Sequence, residues 1–131
     1  MKCGSTFLLY DGDNPIPHLH VVITDPDHSN CVVLVSVTTE RARSDTMTRL
    51  APGDHPFVKN PSVITYAYTK VMSCEHLEGL VKSGDAYTKE DASEKIVRRA
   101  QAGLRETDRA PREVQRYFLE WWAQNGTPNS N

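Results

Sequence analysis

The pattern of apolar and polar positions places a buried strand at the centre of the chain. Residues 31–35 are all apolar, and three of the five are β-branched, which is typical of a strand covered on both faces. Polar residues follow at 36–39, and the Gly-Asp-His-Pro-Phe sequence at 53–57 predicts a tight turn before a second β-rich run. The polar side chains should therefore collect where the central strand ends.

Clusters of turn-forming residues separate the other predicted strands. Strands are predicted over residues 5–10, 18–24, 31–37 and 62–71, with a short edge strand at 46–50. Alternation along the last strand would place Ile64, Tyr66 and Tyr68 on one face.

Helical patterning replaces this alternation after residue 73. The sequence predicts a short helix over 74–81 and a helix over 88–100 with a Thr cap. A last helix begins near Pro111 and presents Val114, Phe118 and Trp121 as a packing stripe. Residues 125–131 are expected to be disordered.

These elements predict an α+β fold in a single domain. Residues 1–73 would form a small SH3-like antiparallel β-barrel, and residues 74–124 would add two or three C-terminal helices packed on that same domain.

The amino-acid composition argues against some classes of protein but does not assign a function. The 131 residues carry a formal net charge of −2, so the chain lacks the basic excess of a typical nucleic-acid-binding domain. No apolar run is long enough to cross a bilayer, and no membrane partner is expected. The odd number of cysteines, 3, favours free thiols and a cytoplasmic location.

Histidines are the most promising chemical groups. His18 and His20 would project from the same face of a strand, and the 53–57 turn could return His55 beside them. A rigidly held His55 suits general acid/base chemistry, although it could equally brace its loop, with Phe57 as the core anchor. Three converging histidines could instead hold a metal ion, whereas structural hydrogen bonding of His18 and His20 is the commoner arrangement.

Basic side chains cluster near the predicted strand ends. Arg41, Arg43, Arg49 and Lys59 lie close in sequence to the Thr-rich end of the central strand and the His55 turn. The cluster indicates either a site for an anionic ligand or an ordinary solvated loop.

The β-rich part resembles the MazF/PemK/Kid-like toxins of toxin–antitoxin systems. The similarity runs from Thr6 to about Ser73 and is carried by an opening strand followed by PHLHVVIT (17–24), VVLVSVTT (32–39) and SVI (62–64). In this family the second segment is led by Arg-Pro and the third ends in a Thr-Ser/Thr pair. By position, Thr38 matches the family's active-site Thr, whereas His18 stands where its catalytic Arg is expected.

The resemblance implies an SH3-like homodimer that cleaves single-stranded RNA without a metal or other cofactor and is neutralised by an antitoxin protein. On this hypothesis the catalytic residues are His18, Thr38 and His55. The substrate-binding residues would be His20, Thr39, Arg41, Arg43, Lys59, Ser62 and Tyr66. The alternative is a non-catalytic barrel that binds a protein or nucleic-acid partner through the edge strand at 46–50 or through the helical tail.

Overall fold

A computed structural model describes residues 1–126. The elements in chain order are β1 (Thr6–Leu9), β2 (His18–Val22), β3 (Cys31–Thr39), β4 (Arg49–Leu50), β5 (Ser62–Ser73), α1 (Cys74–Ser83), β6 (Tyr87–Lys89), α2 (Glu94–Glu106) and α3 (Arg112–Asn125). Of the tail predicted to be disordered, Asn125 ends α3 and residues 127–131 lie outside the described residues.

The six strands form one antiparallel sheet in the order β4-β5-β3-β2-β1-β6. The sheet curls into a half-barrel and, with three helices, gives the predicted α+β class. The SH3-like form stays a prediction. The apolar run of β3 lies between β2 and β5, and Val32, Val33, Leu34 and Val35 are each 0% exposed.

Alternation along the strands gives the sheet two different faces. One face carries Leu19, Val21 and Val35, which pack in the main core with residues of α2 and α3. The predicted stripe of the last helix belongs to this core, with Phe118 fully buried and Val114 and Trp121 packed against it. The two C-terminal helices therefore cover this face.

The opposite face changes from apolar to polar along its length. At one end Phe7, Val22 and Leu34 form a smaller core with Cys74 and Leu77 of α1. Towards the other end of the same face, His20 of β2 lies opposite Ser36 of β3. His18, two residues before His20, and Thr38, two residues after Ser36, continue this polar row. This face of the sheet therefore carries a polar surface next to an apolar surface that α1 covers.

A large bulge interrupts β5 in the middle of its pairing with β3. Ser36 pairs with Thr65 and Leu34 with Lys70, so four residues of β5 stand opposite Val35 alone. Tyr66 follows Ile64 into the main core by ordinary alternation, and the bulge leaves Tyr68 45% exposed. The prediction that Tyr66 and Tyr68 share one face is therefore wrong, because simple alternation fails across inserted residues.

The region after residue 83 differs from the predicted helix over 88–100. Tyr87–Lys89 instead pairs with β1 as an edge strand, and α2 begins at Glu94, with Ser93 as its N-cap. The three cysteines are free thiols. None of the helices within residues 1–126 has both the length and the apolar character required to span a membrane.

Candidate functional site: a polar groove at one end of the sheet

A groove of about 740 Å³ opens at the polar end of the sheet. It collects side chains from the start of β2, the end of β3, the first part of β5, and the loops on either side of β4. Seven predicted site residues line it: His18, Thr38, Thr39, Arg41, Arg43, Lys59 and Ser62. The other three, His20, His55 and Tyr66, do not.

His18 is held by the carboxylate of Asp11, which lies in the turn between the first two predicted strands and was not among the predicted site residues. The loop between β1 and β2 turns at Gly12, with φ of +56°, and brings Asp11 back over the sheet. The Nδ1–H of His18 donates to Asp11 Oδ2 over 2.9 Å. Because Nδ1 carries the proton, the neutral ring has its free lone pair on Nε2.

The other ring nitrogen of His18 is available for chemistry. Within residues 1–126, Nε2 has no hydrogen-bond partner, and the side chain is 20% exposed at the groove. An imidazole fixed through Nδ1 with Nε2 open is the arrangement of a general base.

Asp11 joins His18 to a buried polar network. Its carboxylate also accepts hydrogen bonds from Ser36 Oγ at 3.0 Å and from the Lys70 ammonium, and it lies 3.0 Å from His20 Nε2. Burial raises the pKa of Asp11, but the neighbouring side chains of His20, Lys70 and His18 lower it by more, so this pKa lies well below its usual range. Asp11 is therefore a fixed anion that orients His18.

His20 belongs to this network and does not reach the groove. Its side chain is 0% exposed, Nδ1 donates to the carbonyl of His18 over 2.9 Å, and Nε2 lies 3.2 Å from Lys70 Nζ. The structure therefore places His20, predicted as a substrate contact, in an internal network that does not line the groove.

His55 is also buried, with 2% of its surface exposed. Its Nδ1 accepts the Phe57 N–H at 3.0 Å, and its Nε2–H donates to the carbonyl of Glu90 over 2.6 Å. Both ring nitrogens are thus committed to the backbone, and His55 braces its loop. The structure does not bring this imidazole to His18 and Thr38, so the predicted acid/base pair is not assembled.

The hydroxyls of Tyr66 and Ser62 are engaged inside the protein. Tyr66 Oη donates to the carbonyl of Ala100 and contacts Thr48 Oγ1 at 2.8 Å, and burial raises its pKa to about 12. Ser62 lines the groove, but its Oγ donates to the carbonyl of Asn60 over 2.9 Å. Tyr66 is therefore closed off from the groove, and the Ser62 hydroxyl has no proton left to donate to a ligand.

Threonine hydroxyls form the floor of the groove next to His18. Thr38 Oγ1 and Thr65 Oγ1 are 2.7 Å apart, so one donates to the other, and the exposed Thr39 follows at the end of β3. A hydroxyl can both donate and accept, so this pair can still donate one hydrogen bond to an anion.

The charged groups that line the groove are mainly cationic. Arg41, Arg43 and Lys59 are joined by Arg109 from the loop between α2 and α3, which the sequence analysis missed. None of the four forms an ion pair within the described part of the chain. Asp45 is the one carboxylate among the lining residues of 1–126, and its Oδ2 is out of contact with solvent. The groove therefore favours an anionic ligand.

No group of three or more His, Cys, Asp and Glu side chains among the described residues is arranged to hold a metal ion. What the groove offers is an oriented imidazole, hydroxyl donors and unpaired cations, which together suit a phosphodiester. Comparison of the chain with protein-family models and with curated proteins finds no match.

Proposed function

We propose that this protein is a metal-independent endoribonuclease that cleaves single-stranded RNA in the groove. The observation that carries the proposal is His18, whose ring is fixed by Asp11 and whose free Nε2 lies in a groove lined by four cations. The resemblance of residues 6–73 to PemK-like toxins supports the same reaction, with the His-for-Arg difference at position 18 giving a base in place of a fixed cation.

In the proposed step His18 Nε2 takes the proton of a ribose 2′-hydroxyl. The 2′-oxygen then forms a bond to the adjacent phosphorus, the bond from phosphorus to the 5′-oxygen breaks, and the leaving oxygen takes a proton from water. The products are a 2′,3′-cyclic phosphate and a 5′-hydroxyl end. Asp11 does not touch the substrate; it stabilises the imidazolium that forms on His18.

Cations and hydroxyls would stabilise the charge that develops on the phosphoryl oxygens. Arg41 and Arg43 follow β3 directly, and Lys59 precedes β5, so the exit of the Thr-rich strand lies between them. Thr38 would donate a hydrogen bond to a phosphoryl oxygen, as its match to the family's active-site Thr implies. Guanidinium groups in particular can bind phosphate through two parallel hydrogen bonds.

The resemblance also gives the expected surroundings of such an enzyme. We propose an SH3-like form for the curled sheet, a homodimeric assembly, a cytoplasmic location and an antitoxin protein as the neutralising partner.

The test is cleavage of a single-stranded RNA in the presence of EDTA by wild type and by His18→Gln. Because general base catalysis contributes about 10²–10⁴-fold, the variant should lose at least a hundredfold in rate while wild type produces cyclic phosphate ends. His76→Gln is the matched control, since His76 is exposed on α1, away from the groove. Equal rates for wild type and His18→Gln, or loss of wild-type cleavage in EDTA, would contradict the proposal.

The second candidate is a non-catalytic protein that binds a nucleic acid or another protein. The non-catalytic function is favoured because His20 and His55 are held in structural hydrogen bonds. Among residues 1–126, His18 is then the one histidine whose imidazole lines the groove. RNA that binds the wild-type protein and stays intact would support this function in place of the nuclease.

A further inference from the structure

We infer that the exposed aromatic rings of Tyr68 and Phe57 form a stacking subsite for unpaired nucleobases beside the cationic groove. This inference rests on the proposed function in one respect only, namely that the ligand of the groove is a nucleic acid. It assigns a role to two side chains that the cleavage step does not use.

Tyr68 is one of the residues that the bulge inserts into β5, so it is not held in the regular pairing with β3. Four residues of β5 face one residue of β3, and Thr69 Oγ1 closes the bulge by donating to the carbonyl of Tyr66 over 2.7 Å. The consequence is that Tyr68 lines the groove and stays 45% exposed. An aromatic ring held outward by a hydrogen-bonded bulge is well placed for contact with a ligand.

Phe57 is presented by the turn that His55 braces. The sequence analysis assigned Phe57 to the core, but its side chain is 42% exposed at the groove. Its backbone N–H is fixed by His55 Nδ1, and Gly53 N–H donates to the carbonyl of Val58 over 2.9 Å to close the same turn. The turn thus buries its histidine and exposes its large apolar side chain.

The cationic side chains around the two rings indicate which class of ligand binds there. Arg41, Arg43 and Lys59 line the same groove, and Lys89 Nζ lies 5.8 Å from the centroid of the Phe57 ring. Cations that follow a phosphate backbone, together with aromatic side chains on which bases stack, are the features of single-strand binding surfaces. The bases of a duplex are already stacked and paired, so the ligand is a single strand.

Binding of a short oligothymidylate tests the inference without cleavage, because a DNA strand has no 2′-hydroxyl. A strand with the same number of phosphates but without bases measures the contribution of the cations alone. We expect wild type to bind oligothymidylate about tenfold more tightly than the abasic strand. Tyr68→Leu should remove most of that difference and leave the affinity for the abasic strand unchanged.

Tyr68→Phe should keep the preference for bases, since it keeps the ring. Tyr87→Leu is the matched control, because Tyr87 is 52% exposed on the edge strand β6 and does not line the groove. Thermal unfolding of each variant establishes that it is folded.

The inference is overturned if wild type binds both strands equally, or if Tyr68→Leu weakens binding to both strands by the same factor. Failure of the proposed nuclease gives a different result: RNA stays intact while the preference for oligothymidylate over the abasic strand, and its loss in Tyr68→Leu, persist.

Discussion

Asp11 is the residue that connects the groove to the buried polar network beneath it. Its carboxylate connects His18 and Ser36 with the Lys70 ammonium, and its side chain is only 8% exposed. Alternation along the strands was enough to predict that His18 lies on the same face as His20, and the end of the apolar run predicted Thr38 at the groove. The contact of Asp11 with these strands could not be predicted, because it depends on how an irregular loop folds back over the sheet.

Asp11→Asn should destabilise the protein by about 3 kcal/mol at pH 7, because it removes the anion from a buried group of donors. The pKa of Asp11 is lowered on folding. The contribution of the carboxylate to stability is therefore complete above its unfolded pKa of about 3.9 and is lost as the pH falls below that value. Urea unfolding at pH 7 and pH 3 should show the difference between wild type and variant becoming smaller at the lower pH.

Asp13→Asn provides the control, since Asp13 is an exposed carboxylate of the same loop and should have little effect at either pH. A difference for Asp11→Asn that is absent at pH 7, or that stays constant down to pH 3, would show that Asp11 is not held as an anion by its neighbours.

At the level of elements, the strands with strong hydrophobic patterns were predicted well and the weakly patterned ones were not. The predicted strand at 31–37 corresponds to β3, and the predicted strand at 62–71 corresponds to β5. The three residues of β6 are all exposed and pair with β1, far away in sequence, so no local pattern identifies them. The bulge in β5 likewise follows from pairing with β3, which sequence alternation does not contain.

The contact between α2 and β5 is close enough to require glycine. A Cβ added at Gly103 would overlap Tyr66 Oη and lie 2.6 Å from Thr48 Oγ1, and Tyr66 is fully buried. Gly103→Ala should therefore destabilise the protein by about 1–3 kcal/mol, although alanine is intrinsically the better helix former. Gly79→Ala in α1, where a Cβ would meet nothing within 4 Å, should be neutral or stabilising by up to about 1 kcal/mol. Equal stability of the two variants in urea unfolding would contradict this close packing.

Considered as a whole, the molecule places its groove at one end of the sheet, where the polar part of one face meets the main core of the other. The helices α2 and α3 cover the face that carries the main core, and the groove at the polar end of the sheet collects His18 and Thr38 from the opposite face together with Arg109 from the loop between the two helices. The net charge of −2 gave no indication of a cationic groove, because composition averages over the whole surface. The sequence already clustered Arg41, Arg43 and Lys59 near the end of the central strand, and the structure adds Arg109 to them in the groove.

The salt dependence of binding tests whether this local charge, and not the charge of the whole protein, governs association with RNA. If three or four cations of the groove contact phosphates, affinity for a non-cleavable single strand should fall about 20- to 50-fold between 50 and 200 mM salt. Lys59→Gln should reduce the slope of log affinity against log salt by about 0.7. Lys95→Gln, which removes an exposed cation from α2 outside the groove, changes the net charge equally and should leave the slope unchanged. If both variants lowered the slope equally, the groove would not be the binding surface, and a binding constant independent of salt would exclude a phosphate backbone as its ligand.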